Sequence, residues 1–265
     1  MEPLSPLVDI GVNLTHRRFA QDREAVAERA REAGVVHMIL TGVDLAGSRA
    51  AADYASAASG CSSTAGVHPH HAADWSAEVD GDLRELQRHG AVVAIGETGL
   101  DFNRDFSPRP AQERAFAAQL EIAAEHGLPV FLHQRDAAER FTAILADYRD
   151  SLVDAVVHCF TDGREVLWPL LDLDCHIGVT GWICDERRGD ALRACIADIP
   201  PERLLIETDA PFLPPRDLKP KPAGGRNEPA FLPHIARRLA ELRGEDPAAL
   251  AERTTANARR FFRLG

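Results

Sequence analysis

The chain has 265 residues, a hydrophobic fraction of 45% and a formal net charge of −11. This length suits a single closed α/β barrel of roughly 250 residues. No run of about 20 apolar residues is present, so we expect no membrane-spanning helix. A protein with this excess of acidic residues should repel nucleic acid, unless its positive charge is concentrated where the nucleic acid binds.

The cysteines and the first residues of the sequence both indicate the cellular compartment of the protein. The five cysteines form no Cys-x-x-Cys pair and stand at Cys61, Cys159, Cys175, Cys184 and Cys195. We therefore expect free thiols in a reducing compartment rather than a disulfide framework. The opening "MEPLSPLVDIGVNL" has no basic segment followed by an apolar stretch, so we expect no secretory signal and a cytoplasmic protein.

Eight short apolar runs predict β-strands. They cover residues 7–14, 36–43, 61–69, 91–101, 129–134, 154–161, 175–183 and 204–211, and most are rich in Val, Ile or Leu, as buried parallel strands are. Helical patterns lie between them, the clearest over 22–34, 110–127 and 245–262. In the second of these, Phe116, Leu120 and Ala123 share one face, Pro110 suits the first turn and Gly127 suits the stop.

Strands and helices that alternate at a spacing of roughly 30 residues predict an α/β protein of the (β/α)8 TIM-barrel type. An open, doubly wound sheet is the rival architecture, and the number of predicted strands favours the barrel. The chain has no linker, low-complexity tract or break in composition. We therefore expect a single domain over residues 1–265.

Titratable residues stand at the carboxyl ends of the predicted strands. They are His68 on strand three, Glu97 at the end of strand four, His133 on strand five, His158 on strand six, and Glu207 and Asp209 on strand eight. In a parallel barrel these strand ends meet at one mouth. One such histidine alone would most often be structural. Several carboxylates gathered together would repel one another unless a divalent cation joined them, so the pattern predicts a metal site.

The types of the predicted ligands limit which metal ions can bind and which reaction the site can support. Imidazole and carboxylate suit Zn²⁺, Mn²⁺ or Fe²⁺ better than Mg²⁺, which prefers oxygen ligands. A mixed and partly open site suits metal-assisted hydrolysis rather than a structural role. In the proposed reaction, Asp209 or Glu97 accepts a proton from water and His68 stabilises charge on the substrate. Glu207 is expected to support a ligand or a buried arginine rather than to bind the metal.

Positive charge collects in the segments that follow the same strands. It includes Arg104, Arg109, Arg135, Arg187, Arg188, Arg216, Lys219, Lys221 and Arg226. The only two lysines of the chain lie in the irregular stretch 211–229, and a compact ammonium group is a common phosphate partner. We expect Arg135, Lys219, Lys221 and Arg226 to bind phosphates. Phe102 and Trp182 either stack a base or close the rim of the barrel.

Several motifs carry a resemblance to a known family. "STAGVHPH", "IGETGLDF", "VFLHQRDA", "VVHCFT", "GVTGWICDERRG" and "LLIETDAPFL" with "RNEP" downstream occur in order across nearly the whole chain. Together they resemble the TatD family of metal-dependent deoxyribonucleases. "DIGVNL", "LDFNRDFS" and "LPPRDLKPKP" are similar to one subgroup of that family rather than to its broader relatives.

The resemblance implies a metal-dependent hydrolase barrel with 3′→5′ exonuclease activity on single-stranded DNA, and RNA as a further substrate. It implies Mg²⁺ as the usual activator and a cytoplasmic enzyme linked to DNA repair. The imidazole ligands make Mn²⁺ and Zn²⁺ the alternative metals. The family's metal ligands fall on Glu97, His133, His158 and Asp209, and a family histidine falls on His68. We expect the protein to be a monomer.

One departure from the family pattern affects the metal count. Most relatives place two histidines at the end of the first strand, where this chain has Gly11 and Asn13. We therefore expect one firmly held ion and a weaker second one. Two alternatives stay open: an amidohydrolase acting on a small substrate, which Glu97 disfavours because many such enzymes carry a lysine there, and a non-catalytic binding protein.

Overall fold

The computed structural model describes residue 4 and residues 6–265. Over these residues the chain contains eight β-strands and nine α-helices. The strands are β1 (Leu7–Val12), β2 (Val35–Leu40), β3 (Cys61–Ala65), β4 (Val92–Asp101), β5 (Val130–Arg135), β6 (Ala155–Val157), β7 (His176–Val179) and β8 (Leu204–Ile206). The helices are α1 (Arg23–Glu32), α2 (Leu45–Ala57), α3 (Ala77–Leu86), α4 (Arg109–His126), α5 (Ala138–Tyr148), α6 (Arg164–Asp172), α7 (Asp190–Cys195), α8 (Leu232–Arg243) and α9 (Pro247–Phe262).

The eight strands form one sheet in the sequential order β1 to β8. The pairs β3–β4, β4–β5, β5–β6 and β7–β8 are parallel. A parallel bridge between Val12 and Ala210 joins the end of β1 to the segment after β8. This order is that of a (β/α)8 barrel and excludes a doubly wound sheet, whose strand order reverses at a switch point. The predicted fold class is confirmed.

Local capping explains the bounds of the clearest predicted helices, which are confirmed. α4 carries Pro110 in its first turn and ends at Gly127, whose φ of 64° lies in the left-handed region. α9 follows Asp246, whose side chain accepts hydrogen bonds from two backbone amides of the first turn. The predicted inner face of α4, Phe116, Leu120 and Ala123, is buried.

Contacts within the chain divide it into two compact units. The first contains the described residues up to Ile39 together with Cys159–Trp168 and His176–Gly265. The second contains Leu40–His158 and Pro169–Cys175, and therefore the whole of β3 to β6. The organisation as one domain over residues 1–265 stays a prediction.

Each unit has its own apolar core. In the second unit, Phe116 of α4 stacks on Phe141 of α5 with ring centroids 5.1 Å apart. In the first unit, Phe261 of α9 packs against His176 of β7 at 5.1 Å. Among the described residues, no helix combines the length and the apolar character that crossing a membrane requires.

Strand β4 corrects one detail of the sequence-based prediction. Glu97 does not end the strand, because β4 continues to Asp101. The pairing of β4 with β5 changes register between Ile95 and Thr98. Glu97 therefore stands at an irregularity within the strand, where a polar side chain interrupts an otherwise apolar run.

Two glycines allow β4 and β5 to approach each other around Glu97. Gly96 and Gly99 both have φ of 141°, a conformation that L side chains rarely adopt. A Cβ atom on Gly96 would lie 2.2 Å from the carbonyl oxygen of Phe131, and one on Gly99 would lie 1.9 Å from that of His133. Glycine at these positions is what brings the backbone of His133 beside Glu97.

Candidate metal centre

Four predicted site residues come from four consecutive strands of the second unit. His68 lies shortly after β3, Glu97 lies in β4, His133 lies in β5 and His158 directly follows β6. Because β3 to β6 pair as parallel neighbours, their carboxyl ends lie side by side. The structure brings these four side chains together, as their places on the predicted strands implied.

Three imidazole nitrogens converge on one carboxylate oxygen, Oε1 of Glu97. Nε2 of His158 lies 2.7 Å from this atom, Nδ1 of His133 lies 2.9 Å away and Nε2 of His68 lies 3.2 Å away. The Glu97 side chain is only 7% exposed, and the three imidazoles are between 4% and 17% exposed. Charges in such a shielded place interact more strongly than at the protein surface.

This donor set fits a divalent metal ion. A carboxylate oxygen offers about two lone-pair sites, whereas three ring nitrogens face Oε1 of Glu97. Nε2 of His133 is buried and makes no hydrogen bond within the described part of the chain. Candidate ligand atoms of His68, Glu97 and His133 lie within 4.8 Å of one another. Nitrogen and oxygen donors in this number are typical of Zn²⁺, Mn²⁺ and Fe²⁺ sites.

Glu97 is held in its ionised form. Burial alone would raise the pKa of this carboxyl group, but the imidazoles of His158, His68 and His133 lower it well below its usual range. A carboxylate with so little affinity for a proton is a good metal ligand and a weak base. Glu97 is therefore better suited to hold a cation than to accept a proton.

The tautomer of His68 is fixed by a backbone contact. The backbone N–H of His70 donates to Nδ1 of His68 at 3.0 Å, so Nδ1 carries no proton. Burial lowers the pKa of His68 to about 4, which keeps the ring neutral near pH 7. The single ring proton then sits on Nε2, the atom that faces Glu97. His68 is thus arranged to donate a hydrogen bond rather than to bind a metal.

Two further residues belong to the cluster, and the sequence argument assigned neither of them to the site. Nε2 of His70 lies 2.7 Å from Oδ2 of Asp101, and the same oxygen lies 3.5 Å from Nε2 of His133. The available signals were the His-Pro-His order after β3 and the even spacing of Glu97 and Asp101, which puts both on one face of β4.

Asp209 lies in the first unit, just beyond β8, with a left-handed backbone at φ 54°. The side-chain amide of Asn13 donates to Oδ1 of Asp209 at 2.9 Å. The backbone N–H of Asp209 donates to the carbonyl of Gly11, also at 2.9 Å. Gly11 and Asn13 therefore both form hydrogen bonds to Asp209.

Two more carboxyl groups of the first unit are fully buried. Oε1 of Glu207 accepts the backbone N–H of Cys159 at 2.5 Å. Asp9 accepts the N–H and the hydroxyl of Thr208 at 2.9 and 2.5 Å, and burial raises the pKa of Asp9 to about 8. Cys159 directly follows His158 in the chain and Thr208 directly precedes Asp209, so each carboxyl group fixes the backbone next to a predicted site residue.

The predicted phosphate-binding lysines are exposed. Lys219 and Lys221 lie in the long segment after β8, and Nζ of Lys221 donates to the carbonyl of Arg216 at 2.5 Å. Arg135 is exposed at the end of β5. All three side chains are therefore open to solvent.

Arg226 has a different environment. Its guanidinium group contacts Asp22 and Glu228, at 2.7 Å in each case. Arg29 adds a second guanidinium group to Glu228 at 2.8 Å. These pairs tie the end of the segment after β8 to α1 within the first unit.

The two aromatic side chains that sequence reasoning singled out each pack against an arginine. The guanidinium of Arg109 lies 4.3 Å from the ring centroid of Phe102, and that of Arg188 lies 4.2 Å from the ring of Trp182. Both rings are partly buried, and a guanidinium group within about 6 Å of a ring centroid is attracted to the ring face. Phe102 also lines a cleft with Asp136 and neighbouring residues of α5.

Comparison with known proteins agrees with this geometry. A family model described as TatD related DNase matches residues 8–263. The protein named 3'-5' ssDNA/RNA exonuclease TatD from Pantoea ananatis (strain LMG 20103) is 55% identical over 259 residues, covering 97% of this chain and 100% of that protein. The protein of the same name from Salmonella typhimurium is 54% identical over 258 residues, with coverage of 97% and 99%.

Solved structures are similar as well. The crystal structure of YjjV, a TatD homolog from Escherichia coli K12, has a TM-score of 0.90 at 28% identity and covers 98% of both chains. A TatD family hydrolase from Entamoeba histolytica shares the fold, with a TM-score of 0.87 at 24% identity over 98% of this chain and 99% of that one. From the motifs, the fold, the family match and these relatives together, the chain belongs to the TatD-related DNase family.

Proposed function

We propose that this protein is a metal-dependent 3′→5′ exonuclease that hydrolyses phosphodiester bonds in single-stranded DNA and in RNA. The observation that carries the proposal is the convergence of His68, His133 and His158 on Oε1 of Glu97. Family membership and relatives that are named 3'-5' ssDNA/RNA exonuclease support the substrate class.

Glu97, His133 and His158 are the residues that would hold the metal ion. When bound there, a divalent ion supplies Lewis acidity toward a phosphoryl oxygen and acidifies an attacking water. Mg²⁺ is the metal that the family resemblance implies, whereas two imidazole ligands favour Mn²⁺ or Zn²⁺. Asp209 is proposed as a further ligand on the strength of the resemblance.

The protein side chains have separate roles in the proposed reaction. His68 donates its Nε2 proton as a hydrogen bond to a phosphoryl oxygen, because its tautomer is fixed by the amide of His70. Asp209, positioned by Asn13, accepts the proton of the attacking water. Glu97 stays ionised throughout, because its pKa is far below neutrality.

The substrate backbone is proposed to bind to Arg135, Lys219, Lys221 and Arg226. Exposed ammonium and guanidinium groups attract phosphates in a protein whose net charge is otherwise −11. The two lysines are exposed to solvent, whereas Arg226 contributes through a guanidinium already shared with Asp22 and Glu228. A cytoplasmic enzyme that acts in DNA repair is the cellular setting that the resemblance implies. That setting and the monomeric state stay predictions.

The test is digestion of single-stranded oligonucleotides that carry a label at either the 5′ or the 3′ end. Chelator-treated protein is assayed with Mg²⁺, Mn²⁺ and Zn²⁺ in parallel. We expect a 5′-labelled strand to shorten stepwise and a 3′ label to be released as a mononucleotide. Release of internal fragments would contradict the proposal. So would a protein that hydrolyses a cyclic amide but no oligonucleotide with any of the three metals.

A further inference from the structure

A second group of potential metal ligands lies in the first unit and takes no part in the proposed reaction. Cys184 ends the short turn Gly181–Cys184 that follows β7. Asp217 lies in the segment after β8, and His234 lies in the first turn of α8. One ligand atom from each of these side chains lies within 4.8 Å of the other two.

The three side chains already interact around the carboxylate. Oδ1 of Asp217 lies 2.7 Å from Nε2 of His234. The Cys184 thiol is also hydrogen-bonded to Asp217. Cys184 is buried at 3% exposure, whereas Asp217 and His234 side chains are 38% and 31% exposed. One side of the cluster is therefore closed and sulfur-lined, and the other side is open to an entering ion.

The chemistry of this cluster matches a thiophilic cation. Burial and then the Asp217 carboxylate raise the pKa of the Cys184 thiol, so without a cation the sulfur keeps its proton. A bound metal replaces that proton and pairs with the resulting thiolate. Thiolate, imidazole and carboxylate together are Zn²⁺ ligands, at about 2.0–2.3 Å from the ion.

We propose that Cys184, Asp217 and His234 form a second metal site, which binds Zn²⁺ through sulfur, oxygen and nitrogen and leaves a fourth position to water. Tetrahedral ligands of Zn²⁺ are separated by about 3.3–3.8 Å. Oδ1 of Asp217 and Nε2 of His234 are 2.7 Å apart, so they would have to separate by about 0.6–1.1 Å to bind one ion. Both side chains are partly exposed, at 38% and 31%, which leaves room for this movement. An ion in this place would join the turn after β7, the segment after β8 and the start of α8.

Co²⁺ is the probe that tests the site, because a thiolate bound to Co²⁺ gives an ultraviolet charge-transfer band. Glu97, His133 and His158 contain no sulfur, so those three side chains cannot give the band. Cys159 directly follows His158 in the chain, so variants are needed to assign the band to Cys184. Full-length protein is titrated with Co²⁺ and then with Zn²⁺. We expect the band to saturate near one Co²⁺ per chain and to disappear as Zn²⁺ displaces Co²⁺, with proton release in weakly buffered solution.

Variants assign the band to its ligands. We expect Cys184→Ser to abolish it, and Asp217→Asn and His234→Gln each to weaken Co²⁺ affinity by more than about tenfold. The last two change exposed side chains, so they keep the test valid if Cys184→Ser folds poorly. Cys159→Ser is the matched control and should keep the band. An absent band, an unchanged band in Cys184→Ser, or unchanged affinity in both other variants would overturn the site.

Discussion

Nε2 of His158 and Oε1 of Glu97 lie 2.7 Å apart, although 61 positions separate the two residues in the chain. The contact exists because β4, β5 and β6 are parallel neighbours whose carboxyl ends lie together. His133, from the strand between them, places Nδ1 at 2.9 Å from the same oxygen. This shared oxygen defines the centre on which the proposed activity depends.

Replacing Glu97 by Gln should remove metal binding and activity together. A neutral amide keeps the size of the side chain but supplies no negative charge to pair with a cation held by His133 and His158. We expect turnover of an oligonucleotide to fall by about 10²–10⁴-fold, with circular dichroism unchanged. Metal content and turnover are measured in the same preparation.

The matched control for this substitution is Glu85→Gln, which makes the same change at an exposed position of α3. It should leave both metal content and turnover unchanged. If Glu97→Gln retained wild-type turnover with a defined metal, Glu97 would not be a ligand.

Replacing His68 by Ala should slow the chemical step without removing the metal. His68 presents a protonated Nε2 atom, so it contributes a hydrogen bond rather than a coordinate bond. We expect kcat to fall by about 10²–10³-fold with the metal content retained. His133→Ala, measured in parallel, should lose the metal. Loss of metal in His68→Ala would identify His68 as a ligand instead.

The lowered pKa of His68 gives a prediction for the dependence of activity on pH. The pKa of His68 is lowered to about 4, so the ring stays neutral over the range from pH 5 to 9. Any change of activity near the ordinary histidine pKa of about 6.5 should therefore persist in His68→Gln. If the change of activity near that pH is absent from His68→Gln, His68 itself titrates there and the prediction is wrong.

Gly99→Ala should damage the site through the backbone. The added Cβ atom would meet the carbonyl oxygen of His133 at 1.9 Å, and φ of 141° disfavours any L side chain. The backbone conformation alone should cost about 1–3 kcal/mol in the free energy of unfolding, and the displaced His133 should weaken metal binding. Urea unfolding and metal titration measure the two effects.

Gly81→Ala is the control for this substitution. Gly81 lies in α3 with open space around it, so alanine should stabilise the helix by about 0.5–1 kcal/mol. Metal affinity should stay at the wild-type value. Equal unfolding midpoints for the two variants would refute the close approach of β4 and β5.

The ion pairs of Glu228 should make stability depend on pH in the acid range. Burial alone would raise the pKa of Glu228, but hydrogen bonds from Arg29 and Arg226 lower it below its usual value. Because the folded-state pKa is the lower one, the stabilisation is present above the unfolded pKa and is lost as the pH falls through the folded pKa. Glu228→Gln should reduce the free energy of unfolding by about 1–3 kcal/mol at neutral pH.

Urea unfolding of the wild type and Glu228→Gln at a series of pH values checks the sign. The difference between the two proteins should shrink as the pH falls below about 4.3, the ordinary pKa of Glu. A difference that stays constant, or that grows in acid, would show that the ionised form of Glu228 does not stabilise the fold.

The double substitution Lys219→Ala/Lys221→Ala should reduce the salt dependence of oligonucleotide binding. Each phosphate contact to a single strand contributes about 0.7 to the slope of log affinity against log salt concentration. Loss of two contacts should lower the slope by about 1.4. Arg88→Ala/Arg114→Ala removes two exposed cations elsewhere and should act as the control. Equal slopes for both double variants would exclude the lysines from phosphate binding.

The fold and the main site residues could be predicted from the sequence because both produce patterns among residues that are close in the chain. Buried parallel strands appear as short apolar runs, and the α4 pattern of Phe116, Leu120 and Ala123 repeats at helical spacing. Polar residues at the ends of such runs stand out, which is how His133 and His158 were found. Asp101 was not assigned a role, because its even spacing from Glu97 does not reveal its partner His70, which lies in the turn after β3.

The sequence by itself determined the order of strands and helices and the residue types at the strand ends, because side-chain periodicity and turn residues act over a few positions. Only the tertiary structure decided that three imidazoles share one oxygen of Glu97, that His68 carries its proton on Nε2, and that Arg226 pairs with Asp22 across 204 positions. Those facts depend on strand register and on the approach of distant backbones, which no local pattern of residues specifies.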